Sequence, residues 1–320
     1  MPDLHPMLAY ALQLSAAGRN SEGMLILNKL AAQGDPEALW ILADANWRGN
    51  LMPINYIRGR ELMERASDAG HPIAAHACTN LFASGIAGPR HWQGALSRLA
   101  EEARGDDRRA RTLSLIRHMD LDGRGDPRTP PRGQVLTESP HIVLFTRLFS
   151  PAECDYLIDA AEPTYAPSLV GGSDTRDDRE PIRTSDGSTL HWLIEDPAIH
   201  ALNRRLAAAS GTAYDWGESM QILRYRPGQQ YRNHMDYVPG ARDQRIMTAL
   251  VYLNTEYEGG ETAFIRTELK IKGGTGDAIV FRNTLADGRP DLMSEHAGRP
   301  VIGGVKYLAS RWIRERRHIA

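Results

Sequence analysis

Four side chains in the C-terminal part of this sequence have types and spacing that could do chemistry together: His234, Asp236, His296 and Lys306. In an extended chain, side chains two residues apart point to the same face. His234 and Asp236 could therefore grip one ion while Met235 faces away. His296 offers a third donor across a gap that several short strands could bridge. Two imidazoles and one carboxylate on one side of a metal leave its other side open, a pattern suited to a redox-active Fe(II) with free positions. The same donors also suit Zn²⁺ with an open position. A His-x-Asp triplet alone is equally the product of a surface histidine or a strand-end turn.

Lys306 stands ten residues past His296, in the strand-like segment GGVKYLASRW. By alternation it shares a face with Leu308, Ser310 and Trp312. If that face is interior, an ammonium has been turned inward and needs an anionic partner, because an unpaired buried charge is very costly. A bound dicarboxylate could supply it. If Val305, Tyr307 and Arg311 define the buried face instead, Lys306 is solvated.

The segments around these residues occur in a recognisable order: PHIVLFTRLFSPAECDYLIDAAEP (140–163), IRTSDGSTL (182–190), ESMQILRYRPGQQYRNHMDY (218–237), QRIMTALVYLN (244–254), EGGETAF (258–264), GDAIVF (276–281) and HAGRPVIGGVKYLASRW (296–312). Over roughly 140–314 the chain resembles the catalytic domain of the 2-oxoglutarate- and Fe(II)-dependent prolyl 4-hydroxylases. That resemblance implies a double-stranded β-helix, or jelly roll. It also implies Fe(II) held by His234, Asp236 and His296, with 2-oxoglutarate and O₂ as cosubstrates and ascorbate as a further candidate cofactor. The implied reaction hydroxylates a prolyl residue in a peptide or protein and converts 2-oxoglutarate to succinate and CO₂. Lys306 would bind the distal carboxylate of 2-oxoglutarate, with Tyr225, Thr262 and Trp312 completing that pocket. Arg183, Ser185, Glu218, Tyr231 and Arg245 match positions placed around the peptide. The intact Asp236 disfavours a halogenase, which gives up this carboxylate. Arg314 departs from the family, many members of which carry histidine two places beyond the tryptophan. The segment YVPGARDQRIMT after Asp236 is also short. Both departures lie toward the substrate, so a free amino acid or natural product is an alternative acceptor. A non-catalytic adaptor and a zinc hydrolase are the rivals from other classes, and neither needs an inward lysine.

These residues need a scaffold, and the patterning suggests one. Gly and Pro turns at 227, 239, 259 and 273 separate alternating segments, as in a β-rich barrel-like sandwich. HIVLFTRLF (141–149) reads as a strand. Ser150-Pro-Ala-Glu153 opens a helix by the capping-box pattern, and 195–210 reads as another helix. The polar stretch 165–190 has no period and reads as a long loop, which the resemblance would fold over the active site.

The N-terminal part repeats. AAQGDPEALWILADANWRGN (31–50) is echoed by SDAGHPIAAHACTNLFASGI (67–86), with Gly34 answering Gly70 and Gly49 answering Gly85, both at an offset of 36 residues. A weaker copy at 101–116 keeps Gly105 but lacks the Pro and the closing Gly. Helix pairs repeating at this length indicate an α-solenoid, and the pattern is similar to Sel1-like repeats, relatives of tetratricopeptide repeats. Its concave face suits peptides or partner proteins; equally, the array could serve assembly. The expected fold is therefore α+β and multidomain: a repeat domain at 1–121, a Gly/Pro-rich linker at 122–140 and a jelly-roll domain at 141–320.

Composition sets outer bounds. The 320 residues are 42% hydrophobic and 24% charged with a formal net charge of −2, so nothing general points to nucleic acid or a membrane surface. The basic tail RWIRERRHIA is a local exception that reads as a solvated end. Two cysteines, Cys78 and Cys154, form no disulfide framework. With no signal-peptide pattern at MPDLHPMLAYALQL and no transmembrane-length run, a cytoplasmic location is expected.

Overall fold

The structure, a computed structural model, describes residues 6–168, 182–191 and 193–318. Residues 169–181, the middle of the polar stretch expected to close over the site, lie outside the described residues. The chain divides into two compact units: residues 1–114 with 192–197, and residues 115–191 with 198–319.

In the first unit, helices α1 (Pro6–Ala16), α2 (Asn20–Ala32), α3 (Pro36–Arg48), α4 (Tyr56–Asp68), α5 (Pro72–Ser84) and α6 (Trp92–Glu102) pack each on the next, and α7 (Asp107–Arg117) follows. Their ends are set by local chemistry that recurs along the chain. Asp35 and His71 cap α3 and α5 by accepting the N–H groups of Ala38 and Ala74, each with Pro at the next position. Both helices stop at a left-handed glycine, Gly49 (φ 71°) and Gly85 (φ 75°). Asn55 and His91 cap α4 and α6 in the same way. The weaker third copy keeps its cap, as Asp106 accepts the N–H of Arg109. Leu27, Leu39, Met63, Leu81 and Leu99 are fully buried between the helices, each worth roughly 1.5–3 kcal/mol of burial. Segment 193–197 belongs to this unit, with Leu193 O accepting from Asn80 Nδ2 at 2.9 Å.

The second unit is built on antiparallel sheets. Its strands are β1 (Gln134–Glu138), β2 (His141–Phe145), β3 (Ala166–Pro167), β4 (Asp186–Leu190), β5 (Met220–Tyr225), β6 (Tyr231–His234), β7 (Arg245–Tyr252), β8 (Tyr257–Gly259), β9 (Thr262–Phe264), β10 (Lys270–Ile271), β11 (Ala278–Arg282), β12 (His296–Gly298), β13 (Val301–Gly304) and β14 (Lys306–Arg314). Among the described residues, the larger sheet runs β1-β2-β11-β7-β14-β5-β4-β3, the smaller β10-β9-β12-β6, and β13 pairs with β8. The chain crosses from β5 in the larger sheet to β6 in the smaller, back to β7, over to β9 and β10, back to β11, over to β12 and back to β14. This crossing pattern is the winding of a jelly roll. Tyr252, Phe264, Ile279, Phe281 and Leu308 belong to the core of this unit. Helices α8 (Pro151–Ala161) and α9 (Pro197–Ser210) complete it. The capping box of α8 is formed in both directions: Glu153 N–H donates to Ser150 Oγ, and Ser150 N–H donates to Glu153 Oε2.

Three expectations need correction. The stretch 122–140 is not only a linker, because β1 lies in it and pairs with β2. Its side chains are mostly exposed, so no alternation marked it. The polar stretch 165–190 is not loop throughout, since β3 and β4 bound it and Ser188 and Leu190 are buried. The strand expected over 141–149 ends at Phe145, and the chain turns at Arg147 (φ 49°) before α8.

Candidate active site

His234 ends β6 and His296 begins β12, and the two are direct register partners in the smaller sheet. Pairing brings their rings to 4.2 Å between centroids. Asp236 lies two residues past His234 but outside the strand, in the bend that follows. The expectation that both sit on one face of an extended strand is therefore wrong in mechanism: the turn, not the pleat, swings the carboxylate in. Asp236 Oδ1 is 3.7 Å from His234 Nε2, and Oδ2 is 3.7 Å from His296 Nε2. The three side chains offer donor atoms within 4.8 Å of one another.

The donor chemistry fits a metal. His234 Nδ1 lies 2.8 Å from the carbonyl of Arg232, and His296 Nδ1 lies 2.9 Å from that of Ser294. A carbonyl can only accept, so each Nδ1 carries a hydrogen and each Nε2 is the nitrogen left to face the shared space. Burial, reinforced by the nearby His296, pushes His234 down to about 3, leaving a neutral imidazole. Burial would raise Asp236, but His296, His234 and the Thr248 hydroxyl outweigh it, and the carboxyl stays below its usual range. Tyr231 stacks on the His234 ring at 3.4 Å, while Phe264 and Phe281 pack against His296.

The donors open onto a cavity lined also by Arg183, Tyr225, Tyr231, Thr262, Lys306, Ser310 and Trp312. Lys306 is 2% exposed. Its Nζ donates to Gly260 O at 2.7 Å and lies 5.6 Å from the ring centres of Tyr225 and Tyr252. No carboxylate pairs with it among the described residues, and burial lowers it to about 8. Both faces of β14 are interior. Arg311, on the other face, is buried too, and it spends its guanidinium on the carbonyls of Glu218, Asn203 and Tyr214. Of the two alternatives left open by periodicity, the inward one holds for Lys306; on the opposite face Arg311 is buried as well, while Val305 and Tyr307 are half-buried.

The remaining sequence-derived residues divide. Tyr225 pairs in register with Lys306, and Thr262 accepts the Tyr252 hydroxyl at 2.9 Å. Arg183 and Tyr231 line the cavity, with the Arg183 guanidinium over the Tyr231 ring at 5.3 Å. Ser185, Glu218 and Arg245, expected to touch substrate, are not in the cavity lining. Ser185 is buried against Ser168 Oγ at 3.0 Å. Arg245 donates to both oxygens of Glu218 at 2.7 and 2.9 Å and stacks on Trp312 at 3.9 Å. Arg314 also pairs with Glu218, at 2.6 Å. Thr248, Asn283, Tyr252 and the Gly260 carbonyl also bond to site residues, and nothing in the sequence singled them out. A hydroxyl inside the apolar run MTALVY was the one available signal for Thr248.

Known proteins resemble this chain in sequence over the same region. Residues 220–314 match the family described as the 2OG-Fe(II) oxygenase superfamily. Prolyl 4-hydroxylase 1 of Arabidopsis thaliana is 34% identical over 203 residues, covering 57% of this chain and 72% of that protein. Probable prolyl 4-hydroxylase 3 of the same plant is 32% identical over 228 residues, covering 63% and 78%. Among solved structures, a viral collagen prolyl hydroxylase from Paramecium Bursaria Chlorella virus-1, in its 2OG complex, is 28% identical with a TM-score of 0.42, covering 56% of this chain and 98% of that one. The chain belongs to the prolyl 4-hydroxylase family of 2OG-Fe(II) oxygenases.

Proposed function

We propose that this protein hydroxylates a prolyl residue in a peptide or protein, coupled to oxidative decarboxylation of 2-oxoglutarate to succinate and CO₂. The observation that carries this reading is Lys306: a buried ammonium with no carboxylate in salt-bridge reach among the described residues, in the same cavity as two imidazoles and a carboxylate. A zinc hydrolase or an inert barrel has no use for such a cation, whereas a keto-diacid bound between the donors and Lys306 satisfies both ends. His234, Asp236 and His296 would hold Fe(II). Bound there with 2-oxoglutarate, the metal supplies the oxidising chemistry that divides O₂ between substrate and succinate.

The chain's own residues do the rest. Lys306 anchors the distal carboxylate, with the Tyr225 and Thr262 hydroxyls as further partners. Leu223, Leu250, Leu308 and Trp312 wall the cavity and exclude water. Arg183 and Tyr231 face the acceptor, while Ser185 braces the pocket from behind and the Glu218–Arg245 pair backs Trp312. A peptide or protein acceptor, rather than a free amino acid, is favoured by an open trough beside the cavity. The two share Tyr231 and Gly298, and Gln230, Arg232, Asn233 and Arg299 line the trough.

The helical unit reads as a Sel1-like α-solenoid in which caps and closing glycines recur, and it would recruit substrate to the jelly-roll domain. A cytoplasmic location is consistent with Cys78 and Cys154, which are buried, unpaired and raised to about 12 by burial. No described helix is long and apolar enough to cross a membrane.

The test is anaerobic purification, addition of Fe(II), 2-oxoglutarate and proline-containing peptides, and exposure to O₂. Succinate formed in step with a peptide mass gain of one oxygen is the expected result. Full iron loading with no peptide-dependent turnover would overturn the reading.

A further inference from the structure

Behind the three donors lies a buried polar chain to which the proposed function assigns no role. Thr248 stands in β7 and Asn283 just past the end of β11, and both are fully buried. Thr248 Oγ1 donates to Asp236 Oδ2 at 2.6 Å, and Asn283 Nδ2 donates to Thr248 Oγ1 at 2.9 Å. The direction of this relay is forced. An ionised carboxylate can only accept, so the single threonine proton points at Asp236. The threonine oxygen then has only lone pairs left for Asn283, which must present its NH₂ group. Asn283 is itself pinned by its backbone: its N–H donates to Ile246 O, and its carbonyl accepts from Asp291 N–H. Asp236 Oδ1 is the oxygen 3.7 Å from His234 Nε2, and Oδ2 the one 3.7 Å from His296 Nε2.

We propose that Asn283 and Thr248 are positioning residues for the metal centre. They hold Oδ2 of Asp236, the oxygen on the His296 side, and so fix the rotation of the carboxylate that turns Oδ1 toward His234. The need for such a brace follows from where Asp236 sits. The two histidines are held by strand pairing and by carbonyls of their own chain, but Asp236 lies in a bend beyond β6 with no ladder bond to fix its side-chain rotation. Asn283 acts only through the threonine hydroxyl, so the two should contribute as one unit. The inference rests on the three donors being a metal site.

The test uses the full-length metal-free protein and Co²⁺ as an optical probe, titrated by its visible absorption without turnover. Outer-shell partners of metal ligands are typically worth about 10- to 100-fold in metal affinity. Thr248→Val, which keeps the shape and removes the hydroxyl, should weaken Co²⁺ by about that factor. Thr248→Ser should restore most of it. Asn283→Ala should weaken Co²⁺ in the wild-type background and have little further effect on Thr248→Val, a non-additivity that a merely structural role would not produce. Lys306→Ala should leave Co²⁺ affinity unchanged, since Lys306 touches none of the donors. If wild type binds Co²⁺ and Thr248→Val binds it equally well, the positioning role is wrong. Equal losses in the valine and serine variants, or additive losses with Asn283→Ala, would also overturn it. If wild-type protein fails to take up Co²⁺ or Fe(II), it is the metal-site reading itself that fails, and the inference falls with it.

Discussion

At the scale of single residues, the two assignments that matter separate by experiment. His234→Ala removes one of three donors and should abolish stoichiometric Co²⁺ or Fe(II) uptake, measured by titration of the metal-free protein. Lys306→Ala should leave metal uptake intact and raise the 2-oxoglutarate concentration needed for half-saturation. Lys306 also predicts a pH dependence. Its ammonium is lowered from 10.5 to about 8, so between those values the unfolded chain holds a proton that the folded chain has released. Stability of the ligand-free protein should therefore rise with pH through this window, and below it the buried charge costs about 3 kcal/mol. A dicarboxylate favours the protonated form, so its affinity should fall as pH rises past about 8. Calorimetric titration across that range should give this slope in wild type and none in Lys306→Met. The donors were legible from the His-x-Asp spacing and the family-like order of the segments around them, and Lys306 from the cost of turning an ammonium inward in a strand. Thr248 and Asn283 were not legible, since a threonine in MTALVY reads as packing. The Gly260 carbonyl that receives Lys306 has no side-chain identity to read at all.

At the scale of elements, the site depends on turns as much as strands. Gly260 sits between β8 and β9 at φ 68°, where a Cβ would meet Lys306 Cδ, Tyr257 Cε2 and Val301 Cγ2, each at 3.2 Å. Gly260→Ala should thus incur both left-handed strain and crowding of the lysine stem, with a stability loss of about 1–3 kcal/mol. It should also move the carbonyl that holds Nζ, weakening 2-oxoglutarate while sparing Co²⁺. Equal weakening of both ligands would mean that the turn supports the whole barrel mouth rather than the lysine end. The GG turn was legible as a turn. Its role was not, because register is fixed by pairing between distant segments: His234 faces His296 only because β6 and β12 are neighbours. The same limit hid the bend at Asp236, where spacing of two suggested a pleat. Capping, by contrast, is local. The Ser150–Glu153 box stood in the sequence as it does in the fold.

At the scale of the whole molecule, the chain is not divided where its sequence changes character. The helical unit includes residues 192–197, although their neighbours on both sides, β4 and α9, are built into the jelly-roll unit. A protein starting at residue 115 would keep every described strand, the three donors and Lys306. It should therefore bind Co²⁺ and 2-oxoglutarate with wild-type affinity. It would also leave 193–197 without the helices they pack among, including the Asn80 amide that serves the Leu193 carbonyl. Its thermal midpoint should fall accordingly, and Asn80→Ala in the full chain should reproduce about 1 kcal/mol of that loss. If the helical unit recruits substrate, truncation should raise KM for a protein acceptor and leave a short proline peptide unaffected, because the peptide uses only the cavity and trough. Equal KM changes for both acceptors would assign the helices to support of the catalytic unit. Loss of Co²⁺ binding on truncation would be the more serious result, since it would make the donor geometry depend on a unit that supplies none of the donors.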